Sequence, residues 1–376
     1  MTIGEPILLG LIVNPIAGIG GKVGLKGSDG ALIQSRAIKL GAIPESENRT
    51  TKTLIEIKKS QIEVNIITYP GSMGEYAAVR CGIRHDVIGS TELNLTTAED
   101  TRQAALDMFH YGVKLLLFAG GDGTARDIHA AIGQKVPVIG LPTGVKIHSA
   151  VFATSPQNAG ALAVSFLFGK ISKLREAEVM DIDERALRKG IVSAKLYGYL
   201  SIPNLPRFLQ GLKTASSGTE KQSMGAIARC IVESMKDECI YIVGPGTTTR
   251  EIANELDLPK TLVGVDVFCG GRILAQDVNE SQLLQILDNG SAKIIVTPIG
   301  GQGYIFGRGN QQLSHKVISR VGISNIEIVA TREKINAFRG KALMVDTGSD
   351  DIDTELTGYH KVITGYNEAI VYKVNC

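Results

Sequence analysis

Apolar residues fall in short continuous runs through the first half of the chain, each followed by a helix-length stretch with one apolar face. Ile7 to Val13 is such a run, the pattern of a strand buried on both faces. Ile62 to Tyr69 predicts a second strand, closed by Pro70-Gly71, and a weaker one lies at Val87-Ile88. Thr97 then opens a helix with Asp100 as its capping-box partner. Ala104, Ala105 and Met108 line one face of that helix and Gly112 stops it. Val113 to Ala119 and Val136 to Leu141 are further buried strands. Between them lies a short helix, Thr124 to Ile132, with a Thr-x-x-Asp start at Thr124 and Asp127 and a stop at Gly133. Short turns from strand to helix and back predict a parallel sheet with helices on both sides.

The second half is less regular. Glu178 to Asp183 and Ile191 to Ile202 alternate in part with period two, and Thr219 to Met235 is helical. Cys239 to Val243 is a strand that feeds Gly244-Pro245-Gly246-Thr247-Thr248-Thr249 and a helix to Leu256. Ala292 to Thr297 feeds another glycine-rich loop, in which Gln302 and Asn310 stand without an assigned role. Strands near Ile326 to Ala330, Ala342 to Val345 and Ala369 to Val374 close the chain. We expect two domains, residues 1–170 and 171–376, divided after a helix from Gln157 to Phe168.

Composition narrows the function classes. Hydrophobic residues make up 44%, enough core for both domains. Forty Lys and Arg against 38 Asp and Glu leave a net charge of +2, which demands neither nucleic acid nor an anionic membrane. Aromatics are 5% and Trp is absent, against a stacking platform for single strands. There is no basic leader and no apolar run of membrane-span length. The five cysteines form no C-x-x-C pair. The expectation is a cytoplasmic protein with no disulfides, no zinc and no protein-held metal, and with no nucleic-acid or membrane partner.

Three glycine clusters sit at predicted strand ends, where open parallel sheets bind ligands. Asn14-Pro15-Ile16-Ala17-Gly18-Ile19-Gly20-Gly21-Lys22 fails the dinucleotide fingerprint, because Val23 replaces its third glycine. It also fails the Walker A pattern, because Lys22 is followed by Val23. It is either a flexible turn or a backbone cradle for phosphates, with Lys26 and Asp29 facing the ligand in the second case. Gly120-Gly121-Asp122-Gly123-Thr124 is either a tight turn capped by Thr124 or a phosphate approach beside a proton-accepting carboxylate. Thr124 can cap without Asp122, which favours the second. The third cluster, Gly140 to Ser149, should neighbour the second. It carries Lys146 for a phosphate contact and His148, which is either a core hydrogen bonder or a ligand contact, at a predicted helix start. Thr247, Thr248 and Thr249 suit phosphate or ribose at a helix N-terminus, and equally suit simple capping.

Together, Asn-Pro-x-Ala-Gly-x-Gly at 14, Gly-Gly-Asp-Gly-Thr at 120 and Gly-Leu-Pro-x-Gly at 140 resemble the NAD kinase / diacylglycerol kinase superfamily. With Gly244 to Thr249 and Pro298 to Leu313, the longer context is similar to the ATP-NAD kinase-like proteins of archaea and bacteria, a group that includes the acetoin-catabolism X proteins. The resemblance implies an α/β N-terminal domain, a β-rich α+β C-terminal domain and an active site between them. It implies phosphoryl transfer from ATP or polyphosphate to the 2′-hydroxyl of NAD, with Mg2+ and in a homodimer or tetramer. Asp122 would be the base, and Gly120, Gly121, Gly123 and Thr124 would line the phosphate channel. Asn14, Gly18, Gly20, Gly21, Thr143, Gly144, Lys146, His148, Thr247 and Thr248 would be further nucleotide contacts. The chain departs from NAD kinases at Pro142-Thr143-Gly144, where those enzymes carry Asn-x-Gly, and it has no counterpart of their Asn-Glu pair. Ile147-His148 falls where lipid kinases carry Asn-Asp. Two alternatives stay open. One is a same-fold kinase of a lipid or other small alcohol, against which the lack of a basic amphipathic helix argues. The other is a nucleotide-binding regulator, which would not need Asp122.

Overall fold

The computed structural model describes residues 6–25, 31–91, 96–144, 147–182, 194–205, 218–299 and 303–376. Strands β1 (Ile7–Val13), β2 (Val64–Thr68), β3 (His85–Val87), β4 (Leu115–Gly120) and β5 (Val138–Pro142) form an all-parallel sheet in the order β3-β2-β1-β4-β5. Helices α1 (Ala31–Lys39), α2 (Ser46–Lys59), α3 (Glu75–Cys81), α4 (Ala98–Tyr111), α5 (Asp122–Ile132) and α6 (Pro156–Leu167) accompany it. β2, β4 and β5 are buried along their whole length, and in β2 this includes the polar Asn65 and Thr68. α4 opens on the Thr97–Asp100 capping box and ends on left-handed Gly112, both as the sequence predicts. The strand order reverses between β1 and β4, so a crevice opens outside their carboxyl ends.

An antiparallel hairpin, β6 (Leu174–Ile182) and β7 (Ala194–Pro203), follows. Its inward residues Ala177, Val179, Leu200 and Ile202 join the core of the first sheet. An Arg126–Asp181 ion pair at 2.6 Å ties it to α5.

Beyond α7 (Gly218–Ser234) and β8 (Ile240–Val243) come α8 (Thr247–Glu255), β9 (Asp266–Cys269), β10 (Arg272–Ala275), β11 (Ala292–Val296) and β12 (Tyr304–Phe306). β13 (Ile326–Val329), β14 (Leu343–Val345), β15 (Gly358–Gly365) and β16 (Glu368–Asn375) complete a nine-stranded mixed sheet. Its order is β10-β9-β8-β11-β13-β15-β16-β14-β12. The region is strand-rich, as expected.

Polar contacts pin the two sheets together. Arg49 on α2 donates from Nε to the Pro142 carbonyl at 2.8 Å and from Nη1 to Asp346 Oδ1 at 3.1 Å, and its second amino group pairs with Asp346 Oδ2. Burial alone would raise the Asp346 carboxyl, but the Arg49 guanidinium outweighs it and holds that group below its ordinary value. The hydroxyl of Tyr304 donates to the Thr154 carbonyl, and the Arg308 guanidinium lies 4.9 Å over the Tyr304 ring. Burial pushes the Tyr304 phenol up to about 12.

Candidate active site

Three loops meet in the crevice between β1 and β4. Asn14, just past β1, donates from its amide to Thr124 Oγ1 at 3.0 Å, and its own Oδ1 accepts the Ile16 N–H at 3.2 Å. The Gly120 carbonyl accepts the N–H groups of Thr143 at 3.0 Å and Gly144 at 3.1 Å, which closes the third loop onto the second. The contacts leave no room for side chains. A Cβ on Gly18, whose φ is +78°, would stand 1.9 Å from the Thr143 carbonyl oxygen. One on Gly144 would lie 2.9 Å from the Gly121 Cα. Gly123 differs, since a Cβ there would meet nothing nearer than the Arg126 guanidinium at 3.9 Å.

The structure corrects the start of α5. Thr124 does not cap it. The helix begins at Asp122, and its N-cap, Gly121, supplies no side-chain hydrogen bond. The extended Gly121 lets the helix begin two residues early, and Asn14 takes the Thr124 hydroxyl. An eleven-residue helix thus points an N-terminus without a side-chain cap at the crevice. Its unpaired N–H groups and its dipole suit a phosphate.

Asp122 is 6% exposed, and both of its oxygens accept hydrogen bonds. Its Oδ2 accepts the His148 N–H at 2.8 Å and lies 3.2 Å from the His148 ring nitrogen Nδ1, while Oδ1 accepts the Ser149 N–H at 3.0 Å. These contacts accompany a second correction. No helix starts at His148: Ile147 to Ser149 is irregular, and the amides of His148 and Ser149 donate to the Asp122 carboxylate. The next helix, α6, waits for the Ser155 cap.

The remaining predicted residues divide. Gly20 is buried and its carbonyl accepts the Leu25 N–H at 2.9 Å. A Cβ on Gly21 would collide with the Gln311 side chain, so this part of the loop packs against the second region. Thr143 and Gln311 line a small pocket between the sheets with Gly18, Arg49, Ser314 and Asp346; neither Asp122 nor His148 is among its walls. Thr143 Oγ1 and Gln311 Oε1 are buried there without a partner among the described residues, the kind of polar atom that a ligand satisfies. Asn310 serves the fold: its amide donates to the Ile305 carbonyl at 2.8 Å and its oxygen accepts the Gly307 N–H at 3.1 Å. On α8, Thr247 is exposed and Thr248 is buried, and no described hydrogen bond joins either to the three loops. Lys26, Asp29, Lys146 and Gln302 lie outside the described residues. Sequence reasoning missed Arg49 and Asp346, which are 297 positions apart and carry no local signal.

Comparison with known proteins identifies the family. The family model of the ATP-NAD kinase N-terminal domain matches residues 9–171, and that of the ATP-NAD kinase C-terminal domain matches residues 236–374. The two matches span most of the chain, which therefore belongs to the ATP-NAD kinase family. Among solved structures, the crystal structure of a candidate diacylglycerol kinase from Bacillus anthracis str. Sterne is similar at 16% identity, over 48% of this chain and 46% of that chain, with a TM-score of 0.24. The chain thus aligns with less than half of that protein. A search of curated proteins gave no match.

Proposed function

We propose that the chain is a kinase that transfers a phosphoryl group from ATP or polyphosphate to the 2′-hydroxyl of NAD, giving NADP. One observation carries the proposal: the α5 N-terminus, whose N-cap Gly121 makes no side-chain bond, and the buried Asp122 share the crevice between β1 and β4. Family membership supports the reaction class.

Gly121 and Gly123 let the donor phosphates approach the α5 backbone, and Asn14 holds Thr124 in register. Gly18 and Gly144 shape the crevice by close packing, Gly21 packs on Gln311, Gly20 is a further candidate contact, and Thr143 offers its hydroxyl from the adjoining pocket. Asp122 is the general base that takes the proton from the acceptor hydroxyl. Lys146 remains a further candidate for nucleotide contact; Thr247 and Thr248 lie on a turn that closes on itself and are given no such role. Among the described residues no three His, Cys, Asp or Glu side chains converge as a metal site. The arrangement fits Mg2+ that arrives on the donor phosphates and keeps its waters, as this ion commonly does. When bound, it would offset charge on the transferred group. No described helix is long and apolar enough to cross a membrane. We further propose domains at 1–170 and 171–376, a homodimer or tetramer, and a cytoplasmic location.

The test is direct. Purified protein is incubated with Mg2+, NAD and either ATP or polyphosphate, and NADP is read with an NADP-specific dehydrogenase. NADP with at least one donor is expected, and none with either would overturn the assignment. Phosphorylation of a lipid alcohol in place of NAD would keep the transfer and overturn the acceptor.

A further inference from the structure

We infer that Arg49 is a positioning residue for the crevice: fixed by Asp346 of the second sheet, it sets the Pro142–Gly144 turn against which the other two loops pack. Its effect on rate rests on the phosphotransferase reading above, and its effect on the turn does not.

The Pro142–Gly144 turn is where the three loops meet. The Gly120 carbonyl holds the N–H groups of Thr143 and Gly144, Gly144 packs against Gly121, and Gly18 lies against the Thr143 carbonyl. Gly121 is also the N-cap of α5, so the turn and the start of that helix are held as one unit. Pro142 ends β5, the last strand in the order of the first sheet, and its carbonyl accepts the Arg49 Nε–H at 2.8 Å.

Arg49 divides its donors. A side chain that only joined the two sheets would need no more than the fork to Asp346, made by Nη1 at 3.1 Å and by the second amino group. Nε is left for the turn. The guanidinium is planar and rigid, so the fork also fixes where Nε points. Arg49 and Asp346 keep only 13% and 15% of their side chains exposed, so little water competes for these bonds.

Asp346, just past β14, is fixed in turn by the glycine-rich loop that follows β12. Its N–H donates to the Phe306 carbonyl at 3.2 Å, and a Cβ on Gly307 would stand 1.8 Å from its carbonyl oxygen. Asn310 braces that glycine by accepting the Gly307 N–H at 3.1 Å. One chain of contacts thus runs from the second glycine-rich loop through Asp346, Arg49 and Pro142 to the start of α5.

Two variants separate positioning from anchoring. Arg49→Lys keeps a positive charge for Asp346 but offers one ammonium in place of three bonding nitrogens. Asp346→Asn keeps the bond from Arg49 to Pro142 and loses the charge. Amide exchange in the ligand-free proteins, read by NMR, comes first. Arg49→Lys should speed exchange at Thr143 and Gly144 by at least about tenfold and leave the β1 amides unchanged, and Asp346→Asn should do so less. Equal exchange at Thr143 and Gly144 in wild type and Arg49→Lys would overturn the inference whatever the substrate is. Turnover comes second. Arg49→Lys should lower kcat about 10²-fold with the acceptor KM within a few-fold, a larger loss than Asp346→Asn gives, although Asp346→Asn should lower the urea midpoint at least as much. Rate losses that simply follow the losses of stability would show a structural tie and overturn the positioning role. Arg49→Gln, which cannot make both contacts either, carries the same expectations should the lysine variant not fold. Wild type that phosphorylates neither NAD nor a lipid alcohol overturns the functional reading, while the exchange result still decides whether Arg49 sets the turn.

Discussion

Two glycine-rich turns in this molecule look alike in sequence and differ in structure. Gly120 to Thr124 and Gly244 to Thr249 each follow a buried strand and open a helix whose N-cap is a glycine without a side-chain bond. The first lies where strand order reverses, and two other loops converge on it. The second closes on itself: Thr249 Oγ1 donates toward the carbonyls of Gly244 at 2.8 Å and Gly246 at 3.1 Å, and a Cβ on Gly246 would strike Thr297. A glycine turn before a helix is therefore insufficient for a site. What separates the two is topology and a carboxylate that gathers a neighbouring loop.

Substitutions sharpen the contrast, beginning with the largest effect. Asp122→Asn should cost about 10²–10⁴ in phosphoryl-transfer rate while NAD binding stays within a few-fold, as calorimetry and steady-state kinetics can show. Near-full rate would place the chemistry elsewhere.

Next comes the bond between the two sheets. Arg49→Met leaves Asp346 largely buried and unpaired, and should cost about 3 kcal/mol in urea unfolding. The pairing holds the Asp346 carboxyl below its ordinary value, so its contribution is complete above the unfolded-state pKa of about 4 and fades as pH falls below it. The stability gap between wild type and Asp346→Asn should therefore shrink from pH 7 toward pH 3. A gap that widens would contradict the ion pair.

Two glycines then separate packing from approach. Gly18→Ala forces a left-handed residue against the Thr143 carbonyl and should cost about 2 kcal/mol of stability. Gly123→Ala has room in the first turn of a helix and should change stability by no more than about 1 kcal/mol, in the favourable direction. It should still slow the reaction, because the methyl stands where the phosphates approach.

The smallest effect belongs to the second turn. Thr248→Val replaces a buried hydroxyl that has no partner, so stability should hold or rise by up to about 1 kcal/mol and activity should stay within about twofold. A tenfold loss would return the Gly244 turn to the site.

Much of the first sheet was legible because its signals are local. The β1 run matches its strand end to end, and the Thr97–Asp100 box marks the α4 start. The α2 helix was missed because Ser46, Thr50 and Thr53 lie on its buried face, where apolar periodicity fades. Their hydroxyls bond backbone carbonyls instead, Thr50 to Ser46 at 2.8 Å and Thr53 to Pro156 at 2.8 Å. The hairpin β6–β7 read as part of the second half, yet its apolar face completes the first core, a long-range choice that alternation alone does not encode. At the site, Asp122, Thr124, Asn14 and His148 were all found as candidates, but their pairing was not. The Asp122–His148 and Asn14–Thr124 contacts bridge 26 and 110 positions, and only the fold brings them together.

Hydrogen–deuterium exchange with NAD and a non-hydrolysable ATP analogue tests the central claim most directly. Added together, the ligands should slow exchange at amides 120–124 and 147–149 and leave 246–249 unchanged. Protection confined to 246–249 would show that the ligands occupy the other turn and would contradict the account.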